Sequence, residues 1–356
     1  MKGVEFPIFK TKSEATGQSY NFADPSERKK YFEAKAGKQI DDLKRYLRTN
    51  TFVAYLLGKK QAGKGTYTKL LAEVFGSDKI RHISVGDLVR ETESAQKDPA
   101  ERKRLTEYLS RNYRGFMSLD DALNAFLNRD TKTLLPTEFI LALVKREIEN
   151  AGRVSLFIDG FPRNMDQITY SLYFRELINY RNDPDMFVLI DVPEKVIDER
   201  IKYRRICPKC FTSRNLSLNP SSIVKYDYGL KEFYLMCDNP ECTPTRMVGK
   251  EGDELGIESI RNRIEMDDKL IRRAFELHGV PKIMLRNSIP TEIADEITDP
   301  YEVTEDLEHS IDENGRISTR SKSWEIIDDN GIPSVSLMPP PVVISCIHQL
   351  HEILIT

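Results

Sequence analysis

The chain is 356 residues long, enough to bury a sizeable core, and its 53 Lys and Arg nearly balance 56 Asp and Glu for a net charge of −3. That balance excludes a strongly basic nucleic-acid packager and a polyanionic disordered protein. With 40% hydrophobic and 31% charged residues, 18 Gly, 18 Pro and no apolar run near the roughly 20 residues of a membrane span, the composition excludes collagen-like, low-complexity and membrane-spanning chains.

The first residues, Met1-Lys2-Gly3-Val4-Glu5-Phe6, lack the apolar stretch of a secretory signal, so a cytoplasmic location is expected. Asp24-Pro25-Ser26-Glu27 then places a capping carboxylate before a proline suited to the first helical position. Tyr31, Phe32, Ala36, Ile40, Leu43 and Leu47 recur at helical spacing, which predicts a helix over 24–48 packed on the outside of the core. Short apolar runs follow at 52–57, 80–83, 154–158, 186–190 and 282–286, separated by helical stretches. Near-continuous apolar strands alternating with helices predict a parallel sheet covered on both faces. The stretch 96–133 interrupts the alternation with Lys97, Arg102, Lys103, Arg104, Arg111 and Arg114 around Tyr108 and Tyr113. Asp98, Glu101 and Glu107 dilute that charge, so a solvated helical face is expected there and nucleic acid is not.

The chemistry is concentrated where the apolar runs end. Gly58-Lys59-Lys60-Gln61-Ala62-Gly63-Lys64-Gly65-Thr66 follows the first strand and leads into a helix. Glycines let backbone N–H groups converge on phosphate oxygens, the helix N-terminus adds its dipole, and the lysine reaches the outer phosphates. The strict pattern wants Ser or Thr directly after the lysine, but here Gly65 intervenes before Thr66. His82-Ile83-Ser84-Val85-Gly86-Asp87-Leu88-Val89-Arg90 follows the second strand, and Asp159-Gly160-Phe161-Pro162-Arg163-Asn164-Met165-Asp166-Gln167 follows the third. Ligands of parallel α/β sheets bind at the carboxyl ends of strands, so Lys64, Asp87, Arg90, Asp159 and Arg163 are expected around one crevice.

Further along, Cys207-Pro208-Lys209-Cys210 and Cys237-Asp238-Asn239-Pro240-Glu241-Cys242 are two short hooks 26 residues apart with no histidine between them. Such hooks can close a four-thiolate Zn²⁺ site holding a small β-rich insert, with disulfides, free thiols or a zinc-ribbon nucleic-acid module as alternatives. Residues 295–330 carry net −9 and 331–356 carry −1, which leaves +7 on residues 1–294. A positive body suits an anionic small ligand, and the acidic stretch is expected to be solvated. Within it, Trp324 to Gly331 predicts a hairpin with an Asn-Gly turn. Pro339-Pro340-Pro341 then introduces a closing helix expected to pack on the core with Cys346 buried.

Five of these segments stand in an order that resembles the adenylate kinase family of nucleoside monophosphate kinases, over about residues 52–290. They are Gly63-Lys64-Gly65-Thr66, Ile83 to Arg90, Asp159 to Arg163 with Gln167, Asp198 to Arg205, and Ser259 to Ile264. The resemblance implies a P-loop NTPase-like, three-layer α/β fold with a five-stranded parallel sheet, a helical NMP-binding insert and a zinc-bound β-rich lid. The implied segments are an N-terminal extension (1–50), core with the phosphate loop (51–83), NMP-binding insert (84–137), core (138–206), zinc-binding lid (207–251), core (252–294) and C-terminal extension (295–356).

The same resemblance implies the roles. Gly58, Ala62, Gly63, Lys64, Gly65 and Thr66 would bind ATP, with Arg200 near its base. Arg204, Arg261 and Arg263 would crowd the transferring phosphoryl beside Lys64 and Arg163. Ser84, Val85, Arg90, Gly160, Arg163 and Gln167 would bind the monophosphate, whose phosphate suits the planar fork of arginine. Asp87 and Asp159 would anchor Mg²⁺ through water, and Cys207, Cys210, Cys237 and Cys242 would hold structural zinc. No general base is expected, because the acceptor phosphate is already an anion. The expected activity is ATP-dependent phosphorylation of AMP to give two ADP by a monomer. A UMP/CMP-type or other small-acceptor kinase, and a non-catalytic nucleotide-binding regulator, are the alternatives. The chain departs from the family at Gln61, where a glycine is usual, and at Val85, where threonine is common near the acceptor base. It also has a longer insert, and Lys250-Glu251-Gly252-Asp253 is the nearest match to the lid's Arg-x-Asp-Asp pattern.

Overall fold

Asp24 caps the first helix, its Oδ1 accepting the Ser26 N–H at 2.7 Å, and α1 (Pro25–Tyr46) buries Tyr31, Phe32, Ala36, Ile40 and Leu43. The computed structural model describes residues 1–13, 18–127, 135–163, 165–180 and 182–355, so the end of the 96–133 stretch, Asn164 and the side chain of Asp166 lie outside the described residues. After α1 the chain alternates as the apolar runs predict: β1 (Val53–Gly58), α2 (Lys64–Phe75), β2 (Ile80–Ser84). Helices α3 (Val85–Ala95), α4 (Pro99–Asn112) and α5 (Leu119–Leu127) fill the insert before α6 (Thr137–Ala151) returns to the sheet. On α4, Leu105 and Leu109 are buried while Arg102, Lys103, Arg104 and Arg111 are exposed, which is the solvated face expected there.

Next come β3 (Ser155–Asp159), α7 (Met165–Leu177), β4 (Asp185–Asp191) and α8 (Glu194–Lys202). A four-stranded region of two short antiparallel pairs follows: β5 (Arg204–Ile206) with β6 (Ser213–Asn215), and β7 (Val224–Asp227) with β8 (Glu232–Leu235). A 3₁₀ segment (Asp253–Ile260) leads into α9 (Arg261–Glu276), β9 (Lys282–Arg286), β10 (Ser288–Pro290) and α10 (Thr291–Ile297). The last segment holds the pair β11 (Glu305–Ile311) and β12 (Ile317–Ser323), then β13 (Glu325–Ile327), β14 (Pro333–Ser336) and α11 (Pro339–Ile355).

The described residues form a five-stranded parallel sheet in the order β2-β3-β1-β4-β9. Side chains alternate across it. Ala54, Leu56, Phe157, Met186, Val188, Ile283 and Leu285 join one core with α1, α2 and α11. Val53, Tyr55, Leu57, Leu156, Ile158, Phe187 and Leu189 join the other with α3, α4, α6 and α9. Two apolar faces per strand are why these runs are nearly unbroken in sequence. The result is the three-layer arrangement expected.

The acidic C-terminal stretch departs from a solvated surface. Its hairpin β11–β12 is largely exposed, but Glu302, Asp328 and Asp299 are buried. Burial is tolerable because each has partners: Glu302 accepts from Thr11, Tyr31 and Thr298, Asp299 pairs with Lys35 at 2.7 Å, and Asp328 pairs with Arg286 at 2.8 Å. Strands β13 and β14 are joined by the expected turn, with Gly331 N–H donating to Asp328 O at 3.0 Å. Strand β14 also pairs with β10, joining extension to core. Helix α11 buries Val342, Val343, Ile344, Cys346 and Ile347 against α1, α2 and β9, as expected for Cys346. Ile347→Ala is therefore expected to cost about 2–5 kcal/mol. A urea unfolding midpoint checks this, since a side chain on a merely solvated tail would leave the midpoint in place.

Candidate active site

Strand β1 is buried along its whole length and ends at Gly58, where an added Cβ would come within 3.1 Å of Ile190 Cβ. The chain therefore turns there with no side chain, over loop 59–63, and enters α2. Gly63 sits at φ +92, and α2 has no side-chain cap, so the helix offers unblocked first-turn amides to an anion. Gln61 occupies the position where the family usually has glycine and takes a left-handed conformation, φ 69. An L-residue there costs about 1–2 kcal/mol. The loop thus keeps a glycine-like course, with strain.

Lys64 leaves the first turn of α2 and folds back over the loop. Its Nζ donates to Gly58 O at 2.7 Å and Lys59 O at 3.2 Å and lies 3.7 Å from Asp159 Oδ1. Asp159 closes β3 in register with Leu56 of β1 and Ser84 of β2, so three strand ends stand abreast. Ser84 caps α3 through the Asp87 N–H at 3.2 Å, and Val85 behind it is fully buried. Arg90 pairs with Asp87 one turn on. An ideal Cβ on Gly86 would lie 3.3 Å from Arg163 Nη2 and 3.6 Å from Arg90 Nη1, so the two guanidiniums flank one glycine.

Arg163 is the exception among these cations: its Nε is buried with no hydrogen-bond partner. Burial first, then the nearby positive Arg263, lower its pKa, with Asp159 opposing them. Gln167, almost fully buried, accepts the Arg163 N–H at 2.7 Å and donates to Thr137 Oγ1 at 2.9 Å. Gly58, Lys64, Asp159, Gly160, Arg263 and Asp267 line a narrow cleft of about 10 Å³. The sequence-predicted residues of three strand ends are thereby brought together.

A second cleft of about 180 Å³ lies beyond the loop, lined by Lys60, Gln61, Arg204, Lys250, Asp253 and Ser259. Arg204 is held there by a two-pronged ion pair to Asp253, at 2.9 and 2.6 Å. Arg200 donates to Gln61 O at 3.0 Å. Arg261 is instead engaged by Glu194 at 2.6 Å and by Glu258, and Arg263 by Asp267 at 2.8 Å. Thr66 and Gly65 are exposed on the first turn of α2, and Ala62 is buried beneath the loop.

Sequence reasoning missed the side chains that hold these cations. Asp267 also accepts the Lys60 N–H at 3.1 Å, and burial raises its pKa against Arg263 and Lys64. Its i,i+4 spacing from Arg263 was the available signal. Lys60 is depressed by burial and by Lys250, Arg204 and Arg263, which marks a concentration of like charge. His82 faces the loop from β2 with its Nε2 buried and unpartnered, and burial lowers its pKa although Asp159 and Asp87 oppose that. Such crowded cations, in two clefts that both draw on the phosphate loop, suit polyanionic ligands.

The four clustered cysteines form a separate site. Their sulfurs lie within 4.8 Å of one another, Cys207 to Cys242 at 3.8 Å and Cys210 to Cys237 at 3.5 Å. A tetrahedral ion with metal–sulfur bonds of about 2.3 Å places its ligands roughly 3.8 Å apart. The set therefore fits a thiolate-bound metal. Hydrogen bonds from Thr212 push the Cys210 thiol down to about 5, while burial and the neighbouring sulfurs push Cys242 up to about 12. Four thiolates cannot coexist this closely without a cation.

Comparison with known proteins agrees with this geometry. A family model described as an AAA domain matches residues 58–206. An adenylate kinase of Thermotoga petrophila is 35% identical over 172 residues, covering 47% of this chain and 66% of that protein. The chain thus spans just under two thirds of that relative's length. An adenylate kinase of Thermotoga neapolitana is 34% identical over 238 residues, covering 66% of this chain and 89% of that protein. One from Clostridium novyi is 31% identical over 215 residues, covering 60% and 80%. With matches of that length, and the phosphate loop, strand-end arginines and thiol cluster in place, the chain belongs to the adenylate kinase family.

Proposed function

We propose that the protein transfers the γ-phosphoryl group of ATP to a nucleoside monophosphate, with AMP the preferred acceptor. The observation that carries this is the convergence of Lys64, Asp159 and Arg263 on one cleft, with Arg163 beside Gly160 of its wall and the Arg163 Nε buried without a partner. Phosphoryl transfer asks a protein mostly for positioning and charge stabilisation. The uncapped amides of α2 and Lys64 would hold the donor phosphates over Gly58, Ala62, Gly63, Gly65 and Thr66. Arg163 and Arg90 would fork onto the acceptor phosphate on either side of Gly86. Arg263, Arg204 and Arg261 would exchange their carboxylate partners for the transferring phosphoryl, and Arg200 would stand near the donor base.

Ser84, Val85, Gly160 and Gln167 would form the acceptor pocket. Val85 offers no hydroxyl there, so acceptor choice is read from an assay of ATP with AMP, UMP, CMP, GMP and dTMP. Asp159 and Asp87, carboxylate oxygens beside the loop, would hold Mg²⁺ through its water ligands, and the ion would neutralise charge on the phosphates. Residues 207–251 would close over the donor, excluding water that would otherwise hydrolyse it. Among the described residues the five cysteines are free thiols and no helix is long and apolar enough to cross a membrane, both compatible with the cytoplasm.

Arg163→Ala is expected to lower kcat/KM by about a thousandfold in a coupled assay, with little change in Tm. Near-wild-type kinetics would remove Arg163 from the mechanism. Turnover of none of the five acceptors, with ATP still bound, would leave a nucleotide-binding regulator. The thiol cluster is expected to carry about one equivalent of zinc per chain after careful purification. Elemental analysis finding less than about half an equivalent would count against a zinc lid.

A further inference from the structure

Lys59, the second residue of the phosphate loop, is almost completely buried, with its side chain 3% exposed. A buried ammonium is costly unless carboxylates neutralise it. Three surround it: Asp329 at 2.9 Å, Glu194 at 3.4 Å and Asp268 at 3.8 Å. The nearest comes from the C-terminal extension, 270 residues away in sequence. It sits on the turn between β13 and β14, which Asp328 stiffens by accepting the Asn330 and Ile332 N–H groups, both at 2.9 Å, and by pairing with Arg286.

Asp329 has a second task at the other oxygen. Its Oδ1 accepts the Glu194 N–H at 2.8 Å, at the first residue of α8. The residue before it, Pro193, supplies no side-chain cap, so the carboxylate caps α8 from outside the helix. The amino group of Met1 also lies 3.0 Å from Asp329 Oδ2.

Both tasks lead to the site. The carbonyl of Lys59 is one of the acceptors of Lys64 Nζ, so the residue whose side chain Asp329 anchors also seats Lys64. Glu194, whose N–H Asp329 holds, pairs with Arg261 at 2.6 Å and is also drawn toward Lys59. We propose that Asp329 is a positioning residue: the C-terminal extension reaches into the core and fixes the phosphate loop and the start of α8 through one carboxylate. This inference rests on the phosphoryl transfer proposed above.

Asp329→Asn tests it, because the amide still offers an oxygen to the Glu194 N–H but removes the charge that Lys59 needs. In the full chain, ATP affinity by titration calorimetry and kcat/KM for ATP are each expected to fall about tenfold, the middle of the range for groups sharing one charge network. KM for the monophosphate is expected to change less than about twofold, since that half of the site is held by other strands. In a Lys59→Met background the same substitution is expected to change ATP affinity by less than about twofold, because its partner is gone. Asp329→Asn with a lowered Tm but wild-type ATP affinity and kinetics would overturn the proposal and leave an ordinary structural ion pair. So would losses that multiply in full between the two variants. A wild-type chain that binds ATP without turnover would overturn the kinase activity alone, and the affinity measurements would still decide the role of Asp329.

Discussion

Like charges gathered in a half-buried crevice repel one another, and the free protein must hold them there before any phosphate arrives. This constraint organises the site. Nearly every cation in it waits on a carboxylate of its own: Lys64 beside Asp159, Arg90 on Asp87, Arg204 on Asp253, Arg261 on Glu194 and Glu258, Arg263 on Asp267. Each carboxylate keeps its partner oriented and partly neutralised. Arg163 lacks such a partner on Nε, and burial and the nearby Arg263 disfavour its charge. An anion entering the cleft has most to gain there. Positions at strand ends make the arrangement possible, because side chains on separate elements are brought abreast by sheet register rather than by neighbouring sequence.

How much of this was legible depended on whether chemistry or distance wrote the signal. The phosphate loop is readable because anion binding by backbone demands glycines and a lysine at fixed spacing, and β1 and α2 then flank it as predicted. The cysteine hooks are readable because ligand geometry limits their spacing. The buried strands show themselves as apolar runs. The hairpin β11–β12 does not, since β12 is polar and exposed along almost its whole length, and the alternation of Leu307, His309 and Ile311 with Glu308 and Ser310 in β11 is short and only half-buried. Asp159, Asp87 and Asp253 lie in motifs that the sequence shows, but Glu194, Asp267 and Asp329 are ordinary acidic residues there, and only the fold says which cation each one meets. The acidic stretch was read as solvated for the same reason: charge counting cannot see that Lys35, Arg286 and Lys59 lie waiting beneath it.

The thiol cluster answers a different shortage. The region holding β5 to β8 has a core of only Cys207, Leu235, Cys237 and Met247, with a few half-buried neighbours. So little apolar area cannot offset the entropy of ordering some forty-five residues at about 1–2 kcal/mol each. Surface pairs such as Arg246 with Asp227, and its guanidinium 4.1 Å from the Tyr234 ring, add little in water. A metal ion bridging both hooks would supply what the core does not.

The C-terminal extension completes the same logic from outside. Its helix α11 covers one face of the sheet, its Asp329 turn meets the phosphate loop, and its first hairpin reaches the metal-hook region, where Leu307 N–H donates to Ser217 O at 2.8 Å. His309 Nε2 lies 2.9 Å from Leu216 O in the same contact, and its ring packs on Phe233 at 5.6 Å. A closing movement of residues 207–251 must therefore either carry the hairpin along or break these contacts, at about 1 kcal/mol for each hydrogen bond. The hairpin is held to Leu216, Ser217 and Phe233 of that region, while Asp329 pairs with Lys59 and its neighbour Asp328 with Arg286. One segment of chain thus divides its attachments between the metal-hook region and the phosphate loop.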